Sequence, residues 1–343
     1  MDNRQDSAPP REVVVITGAG AGVARATARE FARHGAHLGL ISRSENRLEA
    51  VKSEVEALGA RVVTVSADVA DPDQVERAAE LIEAELGPID IWVNSAMTTV
   101  FAPMHEMSAE EFRRVTEVTY LGYVHGTLSA LKRMRARNRG TIVQVGSALA
   151  YRPIPLQTAY CGAKHAIKGM TEGLRCELLN EGSNVHVTLV EMPGLNTPQF
   201  DWCKSYLPYR ARPMAPVYQP EVGAKAIYWA AHHRRRQLYV GLSSVATIVG
   251  NKLAPALMDR FLARTAVSGQ QTAEPSSPSA PDNLWQPVKG DMGARGRFNR
   301  EAHDDSLQLW MATHRGQVGV IAGAALLGGL ALFGSAKRMT KQK

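Results

Sequence analysis

The sequence predicts a doubly wound α/β fold, a parallel sheet with helices on both faces. Three observations predict it. Short apolar runs alternate with amphipathic stretches from Glu12 to about Val240. Runs such as Val13-Val14-Val15-Ile16-Thr17 are apolar without alternation, which suits strands covered on both sides. Strand and helix follow one another strictly, which calls for crossover connections and parallel pairing.

The first strand, Val13–Thr17, ends in a glycine-rich turn, and the second, His37–Ser42, follows an amphipathic stretch. A helix over Glu45–Leu58 leads to a strand at Arg61–Ser66. A second helix, Pro72–Leu86, leads to Ile89–Asn94. Further strands are expected at Thr141–Ser147, Val185–Val190 and Leu238–Val240. The domain is expected to cover residues 11–265, with residues 1–10 a disordered, polar N-terminus that lacks the apolar stretch of a secretory signal.

Of the 343 residues, 45% are hydrophobic and 21% charged, values of a packed globular chain rather than a disordered one. Three cysteines, Cys161, Cys176 and Cys203, are too few for a disulfide framework and lack metal-ligand spacing, so no metal is expected. They suit a reducing compartment. The net charge of +7 includes +4 in the last seven residues, so the globular part is only mildly basic. With aromatics at 6%, neither a phosphate-tracking stripe nor a stacking platform is present, and no nucleic-acid partner is expected.

Residues 266–317 differ in kind. SGQQTAEPSSPSAPD is rich in Ser, Pro and Gln, so the segment is expected to be a mostly disordered linker carrying Trp285 and Trp310. Val318–Ala336 has 19 residues without a charge, about the length of a membrane-spanning helix, and the basic tail 337–343 follows. It is expected to anchor the protein in a membrane with the catalytic domain cytoplasmic. The stretch Val245–Val267 also mixes apolar runs with Lys252, Arg260 and Arg264, and reads as an amphipathic helix packed on its own core.

Two motifs carry chemistry. The first strand runs into Thr17-Gly18-Ala19-Gly20-Ala21-Gly22-Val23-Ala24. Glycines between a strand and a helix let the backbone approach a pyrophosphate, and the helix N-terminus supplies N–H donors. A simple tight turn would show the same glycines. The second motif is Ser147 at a strand end, followed by Tyr160 and Lys164. Tyr and Lys four apart share a helical face. An ammonium beside a phenol lowers the phenol's pKa, and a serine hydroxyl can hydrogen-bond the same substrate oxygen.

On these residues, residues 12–245 resemble the short-chain dehydrogenase/reductase family. The resemblance implies a Rossmann-type fold, an NAD(P) cofactor and reversible hydride transfer between the nicotinamide and a small-molecule carbonyl or alcohol. It implies that Ser147, Tyr160 and Lys164 are catalytic, and that Tyr160 and Lys164 also contact the cofactor. Thr17, Gly18, Gly20, Gly22 and Val23 match the cofactor turn. Asp68, with Val69, matches the acidic site that holds the adenine amino group. Asn94 matches the first Asn of a strand-end motif, and Pro193-Gly194 with Thr197 matches a turn that contacts the nicotinamide carboxamide. Homodimers or homotetramers are implied, built on helices near 112–136 and 157–180. The chain departs from the family pattern at Ala24, Ser95, Met97 and Thr119, the last standing where a tetrad Asn is usual. The Pro193–Thr197 spacing is one residue shorter than the common pattern.

The second strand ends Leu40-Ile41-Ser42-Arg43-Ser44, without the acid that accepts the ribose hydroxyls of NAD. Ser42 and Arg43 can bind a 2′-phosphate instead, so NADP(H) is expected over NAD(H). Phe200, Trp202, Tyr206, Tyr209 and Tyr218 fall where relatives form a substrate lid, and suit either an apolar substrate or core packing. The rival to an apolar-substrate oxidoreductase is a membrane-tethered NADPH-binding or scaffolding protein without turnover.

Overall fold

The computed structural model describes residues 11–277 and 279–320. Its centre is a seven-stranded parallel sheet of β1 (Val13–Thr17), β2 (His37–Ser42), β3 (Val62–Ser66), β4 (Ile91–Asn94), β5 (Thr141–Ser147), β6 (His186–Met192) and β7 (Gln237–Tyr239). The strand order is β7-β6-β5-β4-β1-β2-β3. All seven predicted strands are present, with ends shifted by up to two residues. Helices fill the crossovers: α1 (Gly22–Arg33), α2 (Glu45–Glu56), α3 (Pro72–Leu86), α4 (Ala109–Thr116), α5 (Gly122–Ala136), α6 (Thr158–Asn180) and α7 (Pro220–His232).

The sheet is buried on both faces, so β1 is apolar throughout. Val14 and Ile16 pack toward α1, α2 and α7, with Phe31, Leu48 and Ile227. Val13 and Val15 pack toward α3, α5 and α6, with Ile82, Met134 and Leu178. Alternate residues therefore serve opposite cores, the period of a strand. Gly39 lets α3 close on β2: a Cβ there would lie 2.5 Å from Ile82 Cγ2. Helix starts are fixed locally. Asp71 accepts hydrogen bonds from Asp73 N and Gln74 N ahead of α3, and Ser108 forms a capping box with Glu111 ahead of α4. Each cap stabilises by about 1 kcal/mol.

The strand order reverses at β1, which lies between β4 and β2. In such a sheet, helices leave in opposite directions at that point and open a crevice at the carboxyl ends of the strands. The turn after β1 and the ends of β2, β4 and β5 all face it.

Beyond β7 come α8 (Leu242–Leu253) and α9 (Pro255–Gly269), which extends past the expected boundary at 265. The segment 266–317 is not the unstructured linker expected from its composition. Gln271–Pro275 pairs antiparallel with Tyr209–Ala211, Ala302–His303 pairs parallel with Val217–Tyr218, and Leu307–Thr313 forms a short helix. Leu284, Ala294, Phe298 and Leu309 are buried. The few apolar side chains of the segment reach surfaces that the body already offers. Arginines of the body, Arg43, Arg47 and Arg114, bind its carbonyls. The segment's own composition shows neither compensation for its ordering entropy.

Residues 1–10, expected to be disordered, lie outside the described residues, as does 321–343. The expected membrane anchor, and the cytoplasmic placement drawn from it, are not supported. No helix among the described residues is long and apolar enough to cross a membrane. Most of the candidate span 318–336 and all of the basic tail lie outside those residues. An uncharged run of that length gives a capacity to span, not a placement.

Candidate active site

The crevice holds two adjoining cavities. The first is lined by Gly18, Gly20, Gly22 and Val23 from the turn, Ser42 and Arg43 from the end of β2, and Asp68 and Val69 from the end of β3. Gly18 has φ +73°, and a Cβ there would lie 2.7 Å from Ala96 Cα. Only glycine supplies both the left-handed backbone and the close approach. Gly22, with φ +60°, opens α1, whose N-terminus has no side-chain cap. A close-packed glycine turn at a helix N-terminus without a side-chain cap fits a dinucleotide pyrophosphate, although the first amide, Gly22 N, donates to Gly293 O at 3.2 Å.

Two residues expected to touch the cofactor stand behind the wall. Thr17 Oγ1 accepts from Ser95 N at 3.0 Å and Ala96 N at 3.2 Å, joining the ends of β1 and β4. Asn94 is fully buried. Its Oδ1 accepts from Trp92 Nε1 at 2.8 Å, and its Nδ2 donates to Gln144 Oε1 at 2.9 Å and Thr127 Oγ1 at 3.2 Å. Neither lines a cavity, so both shape the site from within the sheet. Asp68 does line the first cavity, but its carboxylate is engaged: Oδ1 accepts from Ala70 N at 3.0 Å, and Oδ2 pairs with Arg114 Nη2.

The second cavity is walled by Ser147 at the end of β5, Tyr160 and Lys164 one turn apart on α6, and Pro193, Gly194 and Thr197 after β6. The two cavities share Val23, Ser95, Met97, Thr197 and Gln199, so they meet beside the turn. Thr197 reaches the junction despite the shortened spacing, whereas Pro193 and Gly194 line the second cavity alone.

The electrostatics differ from the simple expectation. Lys164 Nζ donates to Val145 O at 2.7 Å and Tyr123 Oη at 3.0 Å, and lies 5.5 Å from the Tyr160 ring centroid. Burial lowers Lys164 to about 7, with the Glu191 charge opposing. The Tyr160 phenol is raised rather than lowered: burial dominates, Cys161 and Glu191 add to it, and a hydrogen bond with Ser147 opposes it. In this arrangement the lysine's donors are aimed at Tyr123 and the backbone. Thr119 lies in a π-helical turn, Glu117–Leu121, between α4 and α5. Its Oγ1 accepts from Thr98 N at 3.0 Å and donates to Thr98 O at 2.8 Å, so it ties down the loop after β4.

Sequence reasoning missed several residues. Arg47, on the first turn of α2, lines the first cavity with its guanidinium 4.3 Å from the Trp202 ring centroid. Its spacing from Arg43 was the available signal. Of the five aromatics in the region where relatives form a substrate lid, which suited either an apolar substrate or core packing, only Phe200 lines the second cavity. Trp202 lines the first cavity, Tyr206 hydrogen-bonds Glu111 at 2.8 Å, Tyr209 is exposed, and Tyr218 packs in the core.

Glu191, on β6 behind Ser147, is fully buried, and its carboxyl oxygens make no well-aligned hydrogen bond. Burial pushes it up to about 7, with the Tyr151 hydroxyl, the Ser147 amide and Lys164 opposing. A carboxyl whose folded pKa is raised favours the fold below its unfolded pKa and loses that contribution as pH rises through about 7. Glu191→Gln is therefore expected to gain thermal stability relative to wild type at pH 8, and less or none at pH 5. Thermal melts at both pH values check this; an equal effect at both would exclude a titrating Glu191.

Comparison with known proteins agrees with this geometry. The family described as short chain dehydrogenase matches residues 12–203. The uncharacterized oxidoreductase YxnA of Bacillus subtilis is 33% identical over 331 residues, covering 95% of this chain and 91% of that protein. The 3-dehydrosphinganine reductase of Danio rerio is 33% identical over 222 residues, covering 62% of this chain and 66% of that protein. The crystal structure of levodione reductase superposes with a TM-score of 0.60 at 26% identity, covering 68% of this chain and 98% of that one. A seven-stranded parallel sheet, a glycine-walled crevice and these matches establish that the chain belongs to the short chain dehydrogenase family, and that it is a nicotinamide-dependent oxidoreductase acting on CH–OH and C=O groups.

Proposed function

We propose that this enzyme transfers hydride between NADP(H), in preference to NAD(H), and the carbonyl or alcohol carbon of an apolar small molecule. The observation that carries the reading is the joining of the two cavities. Ser147, Tyr160 and Lys164 sit in a pocket that runs directly into the glycine-lined cleft. The nicotinamide, when bound, supplies or accepts the hydride. In reduction, Tyr160 Oη gives its proton to the substrate oxygen, and Ser147 Oγ donates a hydrogen bond to the same oxygen. Lys164 anchors the site from below through Tyr123 and Val145, and its remaining donor is available to the cofactor ribose.

Cofactor preference rests on the end of β2. Ser42 and Arg43 line the cleft there with Arg47, and no carboxylate stands at the strand end to repel a 2′-phosphate. Substrate class rests on the second cavity, whose far wall carries Ile154, Met214, Met258, Phe261 and Leu262 from the loops and from α9. Self-association along α5 and α6 belongs to the same proposal; Leu128 and Leu179 are exposed there. No observation favours a scaffold without turnover.

NADPH consumption with a series of ketones of increasing alkyl length tests the reading. kcat/KM is expected to rise about fourfold per methylene buried, from ~0.8 kcal/mol each. A flat profile would sink the apolar-substrate assignment, and equal rates with NADH would sink the cofactor preference.

A further inference from the structure

We propose that residues 283–293 form a strap that closes the adenosine end of the dinucleotide cleft, so that the cofactor enters and leaves only when the strap lifts. This rests on the reading of the first cavity as the cofactor site. The strap crosses that cavity from one wall to the other. On the α4 side, Leu284 is fully buried in a cluster with Val115 and Ala159 that also contacts Tyr160, and its carbonyl accepts from Arg114 Nε at 3.1 Å.

At the end of β2, Arg43 Nη2 donates to Asn283 O at 2.6 Å and Nη1 to Trp285 O at 2.9 Å. Arg47 then takes the next carbonyls, Val288 O and Gly290 O, the latter at 2.9 Å. On the α1 side, Asp291 pairs with the buried Arg25, and Gly293 O accepts from Gly22 N at 3.2 Å. The cavity persists beneath, with Asn283 and Pro287 in its lining. The strap thus roofs the cleft and leaves a cavity beneath, entering it only where Gly293 O takes Gly22 N.

Two features give the roof a function. Its latches are arginines of the cleft itself, so the groups that face the adenosine phosphate region also hold the strap. The strap is otherwise thinly attached: Trp285, Gln286, Lys289, Gly290 and Asp291 are exposed, and Leu284 is the buried apolar side chain between Asn283 and Gly293. A segment held at a few points, with little apolar burial, opens at low free energy while the body stays folded. The adenosine end of a dinucleotide beneath a bridged strap is released only when those points let go, and lids of this kind gate exchange.

The test is stopped-flow NADPH and NADH binding to the full chain, using Asp291→Asn and Leu284→Ala, each checked for folding by circular dichroism. Both variants are expected to raise association and dissociation rates at least fivefold for both cofactors, with a smaller change in Kd. Hydrogen exchange of wild type supplies a readout that needs no variant: the amides of 283–293 should exchange at least fivefold more slowly with saturating NADPH. Unchanged dissociation rates in both variants, or unchanged exchange over 283–293, overturn the strap. If wild type binds neither cofactor, the dinucleotide assignment itself falls, and the strap with it.

Discussion

Tyr160→Phe is expected to lower turnover about 10²–10⁴-fold, the range for losing a positioned general acid, while NADPH binding stays within about twofold, well below 1 kcal/mol. The substitution removes one hydroxyl and keeps the ring. That ring packs with Val115, Ala159 and Leu284, so the local fold survives the change. The glycine turn and the ends of β2 and β3 that wall the cofactor cleft are untouched. The Tyr160 phenol, raised by burial, is protonated at neutral pH and so carries the proton that a forming alkoxide needs. Phenylalanine has no proton to give, and Lys164 is held beneath the ring, with two of its donors on Val145 O and Tyr123 Oη and Nζ 5.5 Å from the ring centroid of Tyr160. Steady-state NADPH consumption and a fluorescence titration measure the two halves. A variant that keeps more than a few per cent of the wild-type rate would show that Tyr160 is not the proton donor.

Much of the fold was legible because its signals are local. Continuous apolar strands, a glycine turn after β1 and helices between strands specify the sheet and the crevice at its switch point. The gathering of Ser147, Tyr160 and Lys164 in one cavity was legible because strand end and helical spacing place them without knowledge of tertiary structure. Direction was harder to read than position. Asn94 stands at the end of β4, as the family resemblance implied, yet strand alternation turns it to the same face as Trp92, toward Thr127 and Gln144. That period was in the sequence and pointed the side chain into the sheet's own packing. The strap was not legible at all. Its order depends on carbonyls, which every residue has, meeting Arg43, Arg47 and Arg114 from elements 170 or more residues away. Composition of the segment alone reports its lack of core, not the donors waiting for it.

Arg43→Ala is expected to weaken NADPH binding by about 1.5–3 kcal/mol, the worth of hydrogen bonds to a charged group, or roughly 10- to 150-fold in Kd. Arg43 has two kinds of neighbour, and the variant separates them. Its Nη atoms hold the strap through Asn283 and Trp285, and this contribution is common to any dinucleotide beneath the roof. The guanidinium also lines the cleft beside Ser42, where only NADP(H) carries a 2′-phosphate. Burial lowers its pKa, with Asp68 opposing, but an arginine remains charged at neutral pH. Loss of the strap contact alone would change NADPH and NADH affinity equally. Loss of the phosphate contact changes NADPH alone, so the ratio of the two Kd values reports the phosphate and their common shift reports the strap. The expected outcome is a large fall in the NADPH preference with a small common shift, because Arg47, Arg114 and the Arg25–Asp291 pair still hold the roof. Equal losses for both cofactors in isothermal titration would assign Arg43 to the strap and leave the 2′-phosphate to be read by another group.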